Sequence, residues 1–426
     1  MKLPKPLVAA AATITLLAAA GCSSAGGSSI GDAGGDISGT VTFWHTYSAD
    51  SPEVDTLENT VIPAFEKLHP DVDVKSVAIP TDDLHQKLIT AVAGDELPDL
   101  VRLDIAWVPE LAELGSLVAL DDEMPDFQEI ADTTYPGSLS TNKWEGKYYG
   151  LPLDTNTRVL MYNQDAFDAA GVDVPTTVDE LEDVGEALKA EGSYAYAESG
   201  TGGWNVLPWI WSAGGDITDP EVTVATGYMN SAESVAGVQT LVDLYNDGYL
   251  SDLILGDPGG LATSDGLEQG TYATILDGPW MYPIFAGQYP DFVLHDALVP
   301  AGEGGSISVV GGEDVVMTQS SENKAAAAEF MRYLLSEESQ LAFAGVGQMP
   351  VLNALGDKLT DINPNYATFI EQLKTAKARP ATPAWSEIDA ILAAEVRSAI
   401  KGDKTAQQAM DDAAAQSDPL LAQYSN

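Results

Sequence analysis

Residues 99–114 read DLVRLDIAWVPELAEL and join three features that are typical of an α/β protein. Asp99–Leu103 is predicted to be a buried strand, because its apolar run is short and bounded by turn residues. Asp104–Trp107 is predicted to be a polar and aromatic turn. Val108–Leu114 is predicted to be a short helix that ends at Gly115.

The chain that precedes this stretch repeats the order of strand, then helix. Thr40–Trp44 and Val72–Ile79 are predicted strands, and Leu84–Ala93 is a predicted helix. A further helix is predicted over Pro52–Leu68, kinked or divided at Pro63 because proline removes a helical hydrogen bond. This alternation predicts a mainly parallel sheet covered on both faces. With 426 residues, the chain is expected to form two domains.

The rest of the chain is less regular. Apolar periodicity predicts helices over Val235–Tyr245, Lys324–Leu335 and Glu387–Ile400. Before them, the chain around residues 204–211 is predicted to be rich in loops.

The N-terminus has the pattern of a secretory signal. Lys2 and Lys5 precede an apolar run over residues 7–20, which is shorter than the roughly 20 residues that span a bilayer. Small residues then lead to Cys22, and this arrangement resembles a bacterial lipobox. We therefore predict a signal peptide over residues 1–22 with lipidation at Cys22. Ordinary cleavage with an incidental cysteine is the alternative. The Ser- and Gly-rich residues 23–38 are predicted to be a flexible tether.

Composition excludes several classes of function. The formal net charge is −46, which repels phosphate backbones and argues against nucleic-acid binding. Cys22 is the only cysteine, so the folded body has no disulfide and no thiolate metal site. The four histidines lack the spacing of metal ligands. We predict no metal and no cofactor.

Polar and aromatic residues follow each of the first three predicted strands. In open α/β sheets, ligands bind beyond the carboxyl ends of the strands, and this rule selects the loops WHTY (44–47), PTDD (80–83) and DIAW (104–107). Aromatic rings suit the faces of a sugar, and carboxylates suit its hydroxyls. The alternatives are packing for the aromatics, a structural role for the histidine and helix capping for the aspartates. The candidate binding residues from these loops are Trp44, His45, Tyr47, Asp83, Asp104 and Trp107.

Five segments in order resemble the family 1 extracellular solute-binding proteins, which include the maltose-binding and glycerol-3-phosphate-binding proteins. The resemblance covers the chain from about Gly39 to its end. The five segments are VTFWHTYS, AVAGDELPDLVRLDIAWVPELAELGSLVALDD, YYGLPLDTNTRVLMYNQDAFDAAGV, GTYATILDGPWM and ISVVGGEDVVM.

The resemblance implies a two-lobe periplasmic-binding-protein fold of type II, with a ligand cleft between the lobes. Three segments would join the lobes, near Asp154–Thr157, Val309–Glu313 and Gly345–Val351. The N-terminal lobe would contain residues 39–153 plus 314–345, and the C-terminal lobe residues 156–308 plus 351–426. It also implies a monomer at the outer face of the cell membrane that delivers a carbohydrate to the permease subunits of an ABC importer.

Mapped onto that fold, further residues become candidates for the cleft. Asp154 would lie at its floor and Glu313 would accept from a sugar hydroxyl. Gly311 and Gly312 would allow close approach of a ligand, although a tight hinge explains them equally well. Trp204, Trp209 and Trp280 are expected to stack on the faces of a sugar ring. The alternative is that at least one of Trp204 and Trp209 lies in the core. The remaining candidates are Trp209, Trp280, Arg379 and Trp385.

Two other functions are weighed against carbohydrate binding. A glycoside hydrolase would need two carboxylates placed across a bond, but no catalytic motif marks any pair, so we predict no enzymatic activity. A polyol phosphate or peptide binder is the second alternative. Phosphate favours a cluster of Arg and Lys, whereas these total only 19 in the chain and are missing from the three loops.

Overall fold

The computed structural model describes Ile30 and residues 37–49, 51–256 and 261–424. Cys22 and the predicted signal peptide lie outside these residues. The strands of the described chain, in order, are β1 Gly39–His45, β2 Val72–Ala78, β3 Leu100–Asp104, β4 Lys143–Trp144, β5 Lys147–Tyr148, β6 Gly150–Thr157, β7 Val159–Tyr162, β8 Tyr194–Ala197, β9 Tyr272–Asp277, β10 His295–Ala297 and β11 Val310–Met317.

Helices cover both sheets. The α-helices of the described chain are α1 Pro52–Thr56, α2 Ile62–Leu68, α3 Thr81–Gly94, α4 Val108–Glu113, α5 Leu120–Glu123, α6 Phe127–Ala131, α7 Pro136–Ser140, α8 Gln164–Ala170, α9 Val178–Ala190, α10 Gly203–Ser212, α11 Ala232–Asn246, α12 Thr263–Glu268, α13 Met281–Gln288, α14 Lys324–Leu334, α15 Glu337–Ala344, α16 Leu359–Ile362, α17 Tyr366–Leu373, α18 Trp385–Ile400 and α19 Ala406–Leu421. Short 3₁₀ segments occupy Ile105–Trp107, Asp252–Leu255 and Asn353–Lys358. None of the helices in the described part of the chain combines the length and the apolar character that a membrane-spanning segment needs.

The first lobe is built on a five-stranded sheet in the order β2-β1-β3-β11-β6. Strands β2, β1 and β3 are parallel, as the strand–helix alternation predicts. Strand β11 is antiparallel to both β3 and β6. The prediction of a mainly parallel sheet is therefore correct for three strands and wrong for the pairings of β11, which returns to this sheet from the other lobe.

The second lobe is built on a four-stranded sheet in the order β10-β7-β9-β8. Strand β8 is parallel to β9, whereas β7 is antiparallel to both β9 and β10. This sheet is mixed, like the first. Strands β4 and β5 form a separate two-stranded sheet.

Each lobe has its own buried core. Alternate residues of a strand point to opposite faces of a sheet, so Phe43 packs with Phe330 of α14 on one face, and Leu103 packs with Leu88 of α3 on the other. In the second lobe, helices α10, α11, α18 and α19 pack into one core, and α13 and α17 pack on the opposite side of its sheet.

The described chain passes between the lobes at three places. Strand β6 of the first sheet leads through Arg158 into β7 of the second. The chain returns from β10 to β11, and it leaves the first lobe again after α15, where Thr155 pairs with Met349. The third place lies within its predicted joining segment, and the first two lie beside or overlap the predicted segments Asp154–Thr157 and Val309–Glu313. The predicted boundaries of the lobes themselves stay a prediction.

Two local predictions are corrected and one is confirmed. Helix Pro52–Leu68 is divided before Pro63, by a π-helical segment over Leu57–Val61. The stretch around Trp204–Trp211, predicted to be loops, is helix α10 despite the internal Pro208. Ile30, within the predicted tether, is only 1% exposed and packs in the first core. The prediction of a flexible segment is therefore wrong at this residue.

Candidate binding cleft

Three carboxylates form a row across the first sheet where it faces the second lobe. Glu313 of β11 pairs in register with Asp104 of β3 on one side and with Asp154 of β6 on the other. Residues directly opposite each other on neighbouring strands present their side chains on the same face. The sheet therefore brings together three candidates that lie far apart in the sequence.

A buried arginine beneath this row connects it to several segments. The Nη2 atom of Arg102 lies 2.9 Å from Asp154 Oδ2, 2.8 Å from Glu313 Oε2 and 3.2 Å from Gln348 Oε1. Its Nη1 atom donates to Thr46 Oγ1 at 2.5 Å. These partners lie on all three joining segments and on the loop after β1, so Arg102 links the carboxylate row to the whole floor of the cleft.

The third carboxylate of the row is paired from the opposite lobe. Arg379 Nη2 lies 2.8 Å from Asp104 Oδ1 and 3.0 Å from Oδ2. Asp104 also accepts from the backbone N–H of Ala106 at 2.8 Å, as predicted for a helix cap. Asp104 therefore caps the 3₁₀ segment and pairs with the second lobe at the same time.

The row carries more negative charge than the two guanidinium groups neutralise. Burial raises the pKa of Glu313 well above its ordinary value; Arg102 opposes this shift and Asp154 adds to it. When Glu313 is protonated, it donates a hydrogen bond to Asp154 and the site holds one buried negative charge fewer. With Glu313 ionised, no described N–H or O–H donates to Asp154 Oδ1. This oxygen is an acceptor suited to a hydroxyl of a ligand.

Two tryptophans of the second lobe face the joining segments. The rings of Trp204 and Trp280 stack with centroids 6.4 Å apart at an angle of 30°. A Cβ atom at Gly311 would lie 2.7 Å from the Trp204 indole, and one at Gly347 would lie 2.9 Å from the Cα of Trp280. Each tryptophan is therefore seated against a glycine of a different joining segment.

The two glycines of β11 are explained by this packing. Gly311 leaves room for the Trp204 ring. Gly312 has a φ of 134°, and a Cβ atom there would lie 2.9 Å from Thr155 Cα on β6. Close packing against the indole therefore accounts for Gly311, and close packing against β6 accounts for Gly312. Tight packing was the alternative to ligand contact for both glycines.

A second buried arginine supports the tryptophans from below. Arg158 Nη2 binds Glu198 at 2.8 Å and 3.0 Å, and Nη1 donates to the backbone oxygen of Trp204 at 2.9 Å. Nη2 also donates to the backbone oxygen of Leu276, four residues before Trp280. Arg158 thereby fixes the chain segments from which both indoles project.

The sequence interpretation missed Arg102, Arg158, Glu198 and Gln348. The signal was present, because Arg102 lies within an apolar strand, in LVRL, and Arg158 directly precedes one, in NTRVLM. A buried guanidinium is tolerated only when it is paired and hydrogen-bonded. A cation within a buried strand therefore predicts acidic partners on neighbouring strands.

The candidates from the first loop lie in different environments. Trp44 is half-buried, with Lys87 Nζ 4.4 Å from its ring centroid. His45 is fully buried beside Ser76, and burial, together with Arg102, lowers its pKa to about 3, so it is neutral. Tyr47 is 4% exposed, stacks on Phe343 and lies 4.1 Å under the Arg102 guanidinium. The structural alternative fits His45 best.

Other candidates lie away from the carboxylate row. Asp83 is exposed in the first turn of α3, whose cap position is Pro80, so the alternative of a capping role is wrong for Asp83. Trp209 is buried against the Tyr196 ring at 5.0 Å. Trp385 is buried against Gly203. Trp209 and Trp385 therefore occupy the core of the second lobe.

The two lobes also touch near Trp107. Its ring is half-buried, 5.1 Å from the ring of His85. Glu110 Oε2 of the first lobe accepts from His85 Nε2 at 2.7 Å and from Ser386 Oγ of the second lobe at 2.9 Å. Together with the pair between Arg379 and Asp104, these contacts hold the lobes in a closed arrangement.

A model of the bacterial extracellular solute-binding proteins matches residues 48–341. This chain belongs to that family. It is 28% identical over 376 residues to a Brucella abortus protein named as a binding protein. The matched stretch covers 84% of this chain and 88% of that protein.

Two further proteins are similar to this chain over most of its length. One is the arabinooligosaccharide-binding protein of Halalkalibacterium halodurans, 25% identical over 70% of this chain and 68% of that protein. The other is the crystal structure of the cyclic α-maltosyl-1,6-maltose binding protein of Arthrobacter globiformis. It is 27% identical, with a TM-score of 0.74, over 91% of this chain and 100% of that chain. The chain therefore has the two-lobe fold of type II binding proteins.

Proposed function

We propose that this chain binds a neutral carbohydrate between its lobes outside the cell and delivers it to an ABC importer. The observation that carries the proposal is the row of Asp104, Glu313 and Asp154 close to the stacked Trp204 and Trp280. Carboxylates accept from sugar hydroxyls, and indole rings cover the C–H faces. The names of the two sugar-binding relatives support the same class of ligand.

The charges of the cleft favour an uncharged ligand. Arg102 and Arg379 are both already paired with carboxylates. A phosphate group would have to compete with three acidic side chains for them, so a polyol phosphate is disfavoured. The joining segments act as hinges in this proposal, and closure brings contacts from both lobes onto the ligand.

A thermal-shift screen against mono- and oligosaccharides tests the proposal, because a ligand that binds only the native state raises the melting temperature. We expect a rise with neutral sugars and none with glycerol phosphates or peptides. Native mass spectrometry of protein purified without refolding checks the result independently. A retained phosphorylated or peptidic ligand would contradict the proposal.

The same protein should leave its ligand chemically unchanged. Incubation with oligosaccharides, followed by chromatography of the products, is expected to return them intact. Hydrolysis that survives further purification would instead favour a glycoside hydrolase.

We further propose that the chain is a monomer anchored to the outer face of the membrane through lipid on Cys22, beside the permease subunits. The basic and apolar segments before Cys22 support this placement. Labelling cells with radioactive palmitate should mark the wild-type protein but not the Cys22→Ala variant. Equal labelling of the two would contradict the anchor.

A further inference from the structure

A cavity lies between the lobes, outside the cluster of Arg102 and the carboxylate row. Its volume is about 440 Å³, within the range of about 300–1,000 Å³ for small-molecule sites. Helices α3 and α4 of the first lobe form one wall. The start of α18 and the end of α19, in the second lobe, form the other. We call it the outer cavity.

The outer cavity adjoins the candidate cleft on both walls. His85 lines the cavity and lies against Trp107, which follows Asp104 by three residues. On the opposite wall, Ala384 lines the cavity and immediately precedes Trp385, which packs on Gly203 beside Trp204. A chain-like ligand that reaches past the pair between Asp104 and Arg379 would therefore meet this cavity next.

The side chains around the outer cavity suit a neutral polyhydroxylated molecule. Gln86, Glu113 and Gln423 offer amide and carboxylate groups, while Ile89 and Tyr424 offer apolar and aromatic surface. Among the described residues that line it, none is Lys or Arg, so an anionic ligand would be repelled by the acidic groups. Polar groups around apolar patches match the hydroxyl rim and C–H faces of a sugar ring.

We propose that the outer cavity is an additional carbohydrate subsite, and that the ligand is an oligosaccharide whose further units occupy it. This inference rests on the proposed carbohydrate binding in the cleft. Both lobes contribute walls, so the cavity has its present shape only when the lobes are closed. Units bound there contact both lobes and stabilise the closed arrangement, which makes affinity depend on the length of the ligand.

Titration calorimetry with arabino- and maltooligosaccharides of increasing length, beginning with the monosaccharide, tests this inference. Ile89→Trp fills the cavity from the first lobe, and Gln423→Trp, at an exposed position, fills it from the second. Thr90→Trp is the matched control, because Thr90 is exposed on the same helix and does not line the cavity.

We expect wild-type affinity to rise with chain length. In both filling variants, affinity for the longest sugar should fall tenfold or more. Their affinity for the shortest sugar that the wild type binds should be unchanged. The control should have wild-type affinity for every sugar. Affinity independent of length, or equal losses for all lengths, would overturn the outer subsite while leaving carbohydrate binding intact. Failure of the wild type to bind any neutral sugar, in this titration and in the thermal-shift screen, would contradict the proposed function itself.

Discussion

Arg102 in the first lobe and Arg158 in the second are buried to the same extent, with side chains 3% exposed, yet their partners are distributed differently. The side-chain bonds of Arg158 go to Glu198, Trp204 and Leu276, all within the second lobe. Those of Arg102 go to groups on three separate joining segments and one loop.

This difference separates a structural ion pair from one that is tied to the hinge. Glu198 also accepts from Tyr196, Ser199 and Asn205, which all lie in the second lobe. The hydrogen bonds that compensate its charge therefore do not depend on the position of the first lobe. Asp154 and Glu313 share one guanidinium and retain acceptor capacity. We expect a hydroxyl that binds them to change the contacts of Arg102, and through it the geometry of the joining segments.

The largest effect is expected from Arg158→Met. Removing one partner of a buried ion pair leaves an uncompensated charge, here on Glu198, and costs about 3–5 kcal/mol of unfolding free energy. Urea denaturation monitored by tryptophan fluorescence measures the loss. A cost below about 1 kcal/mol would show that the buried Glu198 does not depend on Arg158, and it would remove the structural half of the comparison.

A smaller loss of stability and a larger loss of binding are expected from Arg102→Met. Asp154 and Glu313, which lose their partner, are nearer to the cleft than Glu198 is, and Glu313 is able to take up a proton. We therefore expect the unfolding free energy to fall by about 1.5–3 kcal/mol, from the lost charged hydrogen bonds. Affinity for the tightest-binding sugar should fall tenfold or more, about 1.4 kcal/mol.

Small-angle scattering with and without sugar distinguishes a hinge role from a purely structural one. The Arg102→Met variant should show a reduced change of radius on addition of saturating sugar. Gln348→Ala, which removes one acceptor of Arg102 on the third joining segment, should reduce that change in the same direction with little loss of stability. Unaltered closure in both variants would mean that Arg102 has no influence on the hinge.

Much of the fold could be predicted because its elements have clear periodicity. Strands β1, β2 and β3 and helices α3, α11, α14 and α18 lie within a few residues of their predicted positions. Helix α10 could not be recognised, since eight of its ten residues are buried and no polar face gives it a helical period. Pro208 within it strengthened the wrong interpretation.

The candidate site was predictable only in part. Asp104 and Asp154 follow from the positions of strand ends and joining segments. The contacts of Arg102 with Asp154 and Gln348 span 52 and 246 residues of sequence, so no local spacing marks them. Trp209 and Trp385 have the composition of stacking residues, but the packing of α10 against α18 places them in the core.

Gly311→Ala tests whether β11, which carries Glu313 beside Arg102, also sets the position of Trp204, whose backbone oxygen accepts from Arg158. The added methyl group would meet the Asn156 side chain as well as the Trp204 indole, the latter at 2.7 Å, and overpacking of this kind costs about 1–3 kcal/mol. Since Trp204 must shift, sugar affinity should fall as well. Gly287→Ala on α13 is the control, because nothing lies within 4 Å of its added Cβ atom. Unchanged affinity in a destabilised Gly311→Ala variant would show that the displaced side chains, Trp204 and Asn156, do not determine binding.

The smallest effect is expected from the acid–base behaviour of Asp277, which lies beside the Arg158 cluster. Burial raises its pKa from 3.8 to about 6, although Arg158 opposes the shift. Between these two values the folded state holds a proton that the unfolded state has lost, so the contribution of Asp277 to stability falls as the pH rises through this range. Asp277→Asn should therefore become more stable than the wild type above pH 6, by about 1–2 kcal/mol because the side chain keeps some access to solvent.

Melting temperatures of the wild type and the Asp277→Asn variant between pH 4 and pH 7 measure this difference. Asp219→Asn in the same lobe provides a control of opposite sign. Despite its burial, hydrogen bonds from Thr223 and Val224 lower the pKa of Asp219, so its contribution is present at neutral pH and is lost on acidification. Asp219→Asn should be less stable than the wild type at pH 7 and approach it in acid. If the stability difference of Asp277→Asn is the same at every pH, the Asp277 carboxyl is ionised throughout, and the Arg158 cluster extends to a second buried carboxylate.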